Sequence, residues 1–365
     1  MALSLWMLSC TPAAVEEEEA SAPLVEEEKV ELPTKEVPVS EEARTWYVDD
    51  DKVECPNADR RMIQHAVYLA SDGDIIIVYP GTYTEKVYVD KRLTIRSENG
   101  PADCIVQAEG KKRWEPIFVV KSSYVNISGF TIKGAYQVGG AGILISYYDN
   151  CDISNNIISN NTHGILLQHD ADNNVITNNT ITDSGIAGIR VHYSKHTTIT
   201  NNDIPATFGA FVDSIRLSHS PSNIITNNNV SVVKLANSDA NTITNNNIDD
   251  RLFLGGRGNT ITKNNVGHVS VGSCRKNEIY LNNFFSDPGP GYQATNIWTS
   301  TEKITYKYSD STFTNYLGNY WSDYTGTDAH GDGIGDTPYS IPDEYLTGDK
   351  DSYPLIEPFE NYVIK

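Results

Sequence analysis

GILLQHDADNNVITNNTITDSGIAGIRVHYSKHTTITNND, residues 164–203, holds two copies of one pattern. Each copy opens on a glycine and an alternating run, Gly164-Ile-Leu-Leu-Gln and Gly188-Ile-Arg-Val-His, then closes on Ile-Thr-Asn-Asn at Ile176 and Ile199. Outward from this stretch, the Ile-Ser/Thr-Asn-Asn mark or a close variant recurs at Ile127, Ile153, Ile225, Ile243, Ile261 and Ile279. The intervals from Ile127 onward are 26, 23, 23, 26, 18, 18 and 18 residues. The glycine phase recurs as GILIS from Gly142, SIRLS from Ser214 and VVKLA from Val232. Alternation of this kind is a strand whose first and third apolar residues, Ile189 and Val191 for example, point one way. One such strand cannot bury its apolar face alone, but copies stacked about 4.8 Å apart enclose a shared core. Each fully buried isoleucine then contributes roughly 1.5–3 kcal/mol. Asparagine suits the tight corners, because it tolerates left-handed backbone and its side chains can bond one another from coil to coil. The expected fold is all-β: a right-handed parallel β-helix of about ten coils, roughly 50 Å long. The variable spacing and the asparagine corners argue against a left-handed hexapeptide solenoid.

The ends read differently. Residues 58–71, ADRRMIQHAVYLAS, have helical spacing, with Met62, Ala66 and Leu69 beside Ile63 and Val67 on one stripe. An open solenoid end is a bare sheet edge, so this helix is expected to cover it. Residues 11–45 are rich in Glu, Pro, Val and Ala and cannot bury enough apolar surface to order. Residues 1–10, MALSLWMLSC, resemble the end of a lipoprotein signal peptide, with Cys10 as the lipidation site. The expected organisation is therefore a signal-like segment (1–10), an acidic stalk (11–45), the β-helix (46–286) and an irregular C-terminal cap (287–365). Tyr316, Tyr320, Trp321 and Tyr324 are expected to close the C-terminal edge.

The formal charge is −20, of which residues 1–45 supply −8 through eleven Glu against Lys29, Lys35 and Arg44. That field repels phosphate backbones, so nucleic acid is not an expected partner. No run of about 18 apolar residues is present, so a membrane is approached only through the lipid anchor. The expected molecule is an exported monomer, at the cell surface or in the periplasm. The five cysteines, Cys10, Cys55, Cys104, Cys151 and Cys274, show no CxxC or metal spacing.

Three segments carry a family resemblance: DGDIIIVYPGTYTEKVYVDKRLTIRSENGP from Asp72, YVNISGFTIKGA from Tyr124, and GNYWSDYTGTDAHGDGIGDTPYSIPDEY from Gly318 with DSYPLIEPF from Asp351. With these the chain resembles the NosD-type β-helix family over residues 46–365. The resemblance implies a right-handed β-helix at the cell surface or in the periplasm. The family's namesake handles copper. Similar helices also occur in pectate lyases, polygalacturonases and epimerases, so the fold alone does not choose a function.

Asp328-Ala-His330-Gly-Asp332-Gly333-Ile334-Gly-Asp336 is the sharpest local motif. Carboxylates fall at loop positions 1, 5 and 9, Gly at 6 and the Ile334 carbonyl at 7, as in calcium loops. His330 stands where Asp is usual, and Tyr339 where a bidentate Glu is usual; Asp323, Asp343 or Asp349 would have to supply that ligand. A structural Ca2+ is expected; the alternative is an acidic turn held by hydrogen bonds.

Aligned on the glycine phase, the outward second position reads Leu144, Leu166, Arg190, Arg216, Lys234. Three residues further on the chain reads Tyr147, His169, Tyr193, His219, Asn237, and His192 stands just before that edge. A basic stripe edged by rings suits a carboxylated or sulfated glycan. The leading expectation is a β-helix that binds polysaccharide or a surface protein without turnover. A lyase or epimerase using Asp183, Arg190, His192, Asp213 and Arg216 is the alternative. Hydrolysis is disfavoured because Asp249-Asp250 and Gly267-His268 lie one coil apart with no Arg-Ile-Lys after them, and the Asn-Asn-Asp at 201–203 sits two coils too early for a compact site. With three methionines in the chain, copper is a less favoured ion and would rest on His163, His169, His192, His196 and His219.

Overall fold

The isoleucine of each repeat lies directly above the one before it. In the computed structural model, parallel pairing carries one column from Trp46 to Ile76, Ile95, Ile127, Ile153, Ile176 and Ile199, then on through Ile225, Ile243 and Ile261 to Ile279. Every one of these isoleucines is fully buried. The structure describes residues 42–110, 115–205, 212–286, 295–341 and 348–365. Cys10, residues 11–41 of the stalk, Asp343 and the segment 206–211 lie outside them, whereas the stalk's expected last residues are part of the fold: Thr45 pairs with Ile75, and the Arg44 amide donates to Asp74 Oδ1. The parallel strands form a right-handed β-helix, with 28 strands in one continuous sheet among the described residues.

The paired asparagines divide their work. The first of each pair, Asn155, Asn178, Asn201, Asn227 and Asn245, takes φ between 55° and 57° and turns the corner. The second is buried and forms a ladder. Asn156 donates its backbone N–H and its Nδ2 to Asn179 Oδ1, and the same double bond links Asn179, Asn202, Asn228, Asn246, Asn264, Asn282 and Asn319 in turn. A second ladder runs Asn223, Asn241, Asn259, Asn277, Asn296. Every asparagine-to-asparagine bond is donated toward the C-terminus, so each ladder ends there on N–H groups that have no further asparagine to meet. Two aspartates of one segment receive them: Asn319 donates to Asp351 Oδ2 (2.7 and 3.2 Å) and Asn296 to Asp349 Oδ2 (3.0 Å). A carboxylate facing aligned donors is the arrangement that also stabilises a helix N-terminus.

At the N-terminal end, the helix Ile63–Leu69 buries Ile63, Ala66 and Val67. The expected stripe is narrower than its spacing implied, because Met62 and Leu69 face solvent. At the other end Trp321 continues the sheet beside Phe284 and stacks on Phe284 (4.5 Å) and on Tyr339 (4.4 Å). Residues beyond 286 thus supply both late rungs, Thr295–Ile297 and Tyr320–Trp321, and the plug over the core.

Candidate functional site

The coil strands Ala141–Ser146, His163–Gln168, Ala187–His192 and Asp213–Ser218 lie side by side, followed by Asn229–Ala236 and Asn247–Arg257. Ile189 and Val191 point into the core, which turns Arg190 and His192 outward. Pairing places Leu144, Leu166, Arg190, Arg216, Lys234 and Phe253 in one outward column. The coils approach so closely here that a Cβ on Gly188 would meet the Ser214 carbonyl oxygen at 2.7 Å.

Charge concentrates at the middle of this column. Asp213 Oδ2 lies 3.3 Å from Arg216 Nη1, and Arg216 Nε donates to Ser218 Oγ. Burial pushes the Asp213 carboxyl above its usual range, against the pull of Lys234, Arg216 and Arg190. Burial also lowers the pKa of Arg190, helped by the charge of Arg216. The buried imidazole of His163 is pushed down to about 4 by burial and by the two arginines, so it is neutral at physiological pH. His192 is shifted the same way, again chiefly by burial. Arg190 Nε and His163 Nδ1 are buried and have no hydrogen-bond partner among the described residues.

A column of rings borders these charges. Tyr147 stacks on His169 (5.2 Å, 14°) and Tyr193 on His219 (4.8 Å, 15°), while His192 packs against Tyr193 at 4.4 Å. Tyr147, His169, Tyr193 and His219 all have φ between 52° and 70°. That region is uncommon for residues with bulky side chains.

The structure therefore brings Arg190, His192, Asp213, Arg216 and Lys234 together beside Tyr147, His169, Tyr193 and His219. It does not bring Asp183, which sits on an exposed corner with φ 50° after the strand Thr180–Thr182. The lyase or epimerase set thus loses one of its two carboxylates. Two residues of this face, Arg251 and Phe253, were not read from the sequence, and His163 was read only among the copper candidates. Arg251 is in register with Val232 and Phe253 with Lys234, but a bulge between Val230 and Val232 shifts the phase. The extra residue at Asp249-Asp250 hides the match to VVKLA.

In the C-terminal loop, Asp328 Oδ1 accepts the amides of Gly331 and Asp332 and Oδ2 accepts that of Gly333. Asp332 Oδ1 accepts the Ile334 amide. His330 Nδ1 lies 3.0 Å from Asp336 Oδ1. The amide of Ala329, with the His330 and Thr327 hydrogen bonds, holds the Asp336 carboxyl below its usual range. Asp349 is committed to its ladder and to Trp298 Nε1, and Asp323 accepts the Tyr339 hydroxyl. Among the described residues, the three metal-type donors that gather within 4.8 Å are Asp49, Asp51 and Glu54, not those of this loop. Both oxygens of Asp49 accept amides of its own turn, from Lys52 and Cys55.

Comparison with known proteins bears on the copper expectation. A family model described as "Periplasmic copper-binding protein (NosD)" matches residues 69–252 and 256–326. A cell surface glycoprotein of Methanothermus fervidus is 41% identical over 90 residues, 25% of this chain and 14% of that protein's length. Among solved structures, ORF18 of Geobacillus virus E2 superposes with TM-score 0.53 at 13% identity, over 68% of this chain and 64% of that one. The DFA-IIIase of Arthrobacter chlorophenolicus A6, without its lid and in complex with GF2, gives TM-score 0.50 at 15% identity, over 69% of this chain and 93% of that one. At such identities these two structures speak for the fold alone. Copper(II) accepts imidazole nitrogen. Here His169, His192 and His219 climb one ring per coil, with centroids 6.5 and 6.3 Å apart. Among the described residues no three such donors of this face converge within 4.8 Å, so the row does not form a closed copper site. Over more than half its length, and in its coil architecture, the chain belongs to the NosD family.

Proposed function

We propose that this is an exported β-helix protein that binds a carboxylated polysaccharide along the Arg190–Arg216–Lys234 column without turning it over. The family's periplasmic description and the cell-surface description of the relative support the location. The observation that carries the function is the register of Arg190, Arg216 and Lys234 in consecutive coils, beside two stacked ring pairs. Coils repeat at about 4.8 Å, close to the length one sugar ring adds to an extended chain, so a polyuronate lying along the axis offers about one carboxylate per coil. Guanidinium groups bind carboxylates with charge-assisted, geometrically specific hydrogen bonds. Binding without turnover is favoured because Asp213, the carboxylate in contact with this column, is already paired with Arg216.

Calorimetric titration with oligogalacturonate, against a neutral maltooligosaccharide, tests the reading. Binding is expected for the acidic chain alone, weakening with salt. The double variant Arg190→Glu, Arg216→Glu should lose at least about 100-fold in affinity. Equal affinity in the variant would remove the column from the function. The contact of Asp213 with Arg216, close to Arg190 and His192, is what favours the second reading, a lyase or epimerase; release of unsaturated or inverted product in the same mixtures would establish it.

The reading includes a structural calcium ion at Asp328, His330, Asp332, the Ile334 carbonyl and Asp336, supported by their order along the loop and requiring Asp328 to release the amides it accepts. Calcium added to chelated protein should raise the melting temperature, and an unchanged value would refute the ion.

A further inference from the structure

Beyond Lys234 the face changes character. In the column beside the arginines, Ser146, Gln168, His192 and Ser218 pair in register, followed by Ala236. Two residues past Phe253 and Ser270 the outward positions are Gly255 and Gly272. Side chains shrink to nothing along this column, and a groove of about 540 Å³ opens where they are missing. Leu235, Leu254 and Val271 form its apolar floor, and Phe253, Lys234 and Arg251 stand around it. Lys234 Nζ lies 5.3 Å and Arg251 Cζ 5.2 Å from the centre of the Phe253 ring, so both cations rest against one aromatic. Arg251 Nε is buried and has no hydrogen-bond partner among the described residues. Buried N–H groups are nearly always paired, and here the rest of this guanidinium is left to meet an anion in the groove without competition from a partner at Nε. His268 follows Arg251 in register on the next coil.

We infer that this groove seats one sugar ring bearing a carboxylate, stacked on Phe253 with its carboxylate between Lys234 and Arg251. A groove of this volume, apolar at its floor and carrying a few convergent polar groups, has the size and character of a small-molecule site. The flat face of Phe253 takes the C–H face of a pyranose, and the two cations select the acidic sugar over a neutral one. The inference rests on the acidic-polysaccharide reading and deepens it. The arginine column holds the run of the chain, and the groove holds a single ring beyond that run.

Galacturonate monosaccharide is the probe, titrated into the whole chain with ligand-observed NMR, and glucose is its control. Saturable binding of galacturonate and none of glucose is expected. Phe253→Ala and Arg251→Gln should each weaken it by at least about tenfold, with melting curves confirming that both variants fold. The variant Arg190→Glu, Arg216→Glu should bind the monosaccharide as the parent does while losing the polymer. No saturable monosaccharide binding by the parent, or full binding by Arg251→Gln, would overturn the groove. If the parent binds neither polymer nor monosaccharide, the acidic-polysaccharide reading itself falls; polymer binding without monosaccharide binding sinks the groove alone.

Discussion

Among the left-handed corners of each coil, two solve the same geometric problem with different residues. At the Ile-Thr-Asn-Asn corner the residue with positive φ is asparagine in five successive coils, Asn155 to Asn245, before Lys263 and Leu281 take the position. At the corner after the arginine strand it is Tyr147, His169, Tyr193 and His219, and asparagine returns at Asn237. Asparagine and histidine are the non-glycine residues that enter this region most readily, and a tyrosine there carries strain. The first corner is therefore what folding alone selects. The second holds rings that folding alone does not require, and they stand beside the concentrated positive charge.

The largest expected effect tests the first corner. Asn228→Ala deletes two bonds from Asn202 and three donated to Ile199, Thr226 and Asn246. It leaves buried donors and acceptors unpaired, so stability should fall by about 3–4 kcal/mol in chemical denaturation. A loss below about 1 kcal/mol would show that the ladder only decorates the core.

Next comes the ladder's end. Burial pushes the Asp351 carboxyl up to about 7, against hydrogen bonds from Asn319, Trp321 and Tyr353. Its neighbours in sequence are Asp349, held by the other ladder, and Lys350, which faces solvent. The folded chain thus binds this proton more tightly than the unfolded chain. The stability this confers is complete below the ordinary value of 3.8 and is lost as pH rises through about 7. Between pH 5 and pH 8 the parent should lose roughly 2–4 kcal/mol, whereas Asp351→Asn should show a flatter profile over that window. Parallel profiles would mean that another group sets the slope.

The smallest effect tests the second corner. Tyr193→Asn with His219→Asn should leave stability within about 1 kcal/mol of the parent and weaken polyuronate binding severalfold. If this swap costs as much as Asn228→Ala, the rings are structural and the contrast between the corners disappears.

Much of the fold was legible because its signal repeats. Ile153, Ile176 and Ile199 announce a period, and a residue read once is then read in every coil. The two roles of the paired asparagines were not separable, since corner and ladder residues are the same amino acid, one position apart. The arginine column was legible for the same reason as the isoleucines, through alternation in phase with the glycines. Phe253 and Arg251 escaped because one bulge shifts the phase, after which alternation points to the wrong neighbours. Asp183 was misjudged because a carboxylate beyond the last alternating residue belongs to a corner, whose direction alternation does not set. Asp349 and Asp351 carry no local mark at all. Their role depends on contacts across 53 and 32 residues, with Asn296 and Asn319.

The capped ladders also make the molecule a ruler with fixed ends. Between Asn228 and Asn282 the rungs repeat every 18 residues with the same bonds. A unit cut out or duplicated from one asparagine to the next would change the rod by one graduation and leave both terminators in place. Reach could then be adjusted in whole steps, so the length of chain such a surface spans becomes a matter of copy number, not of redesigned ends.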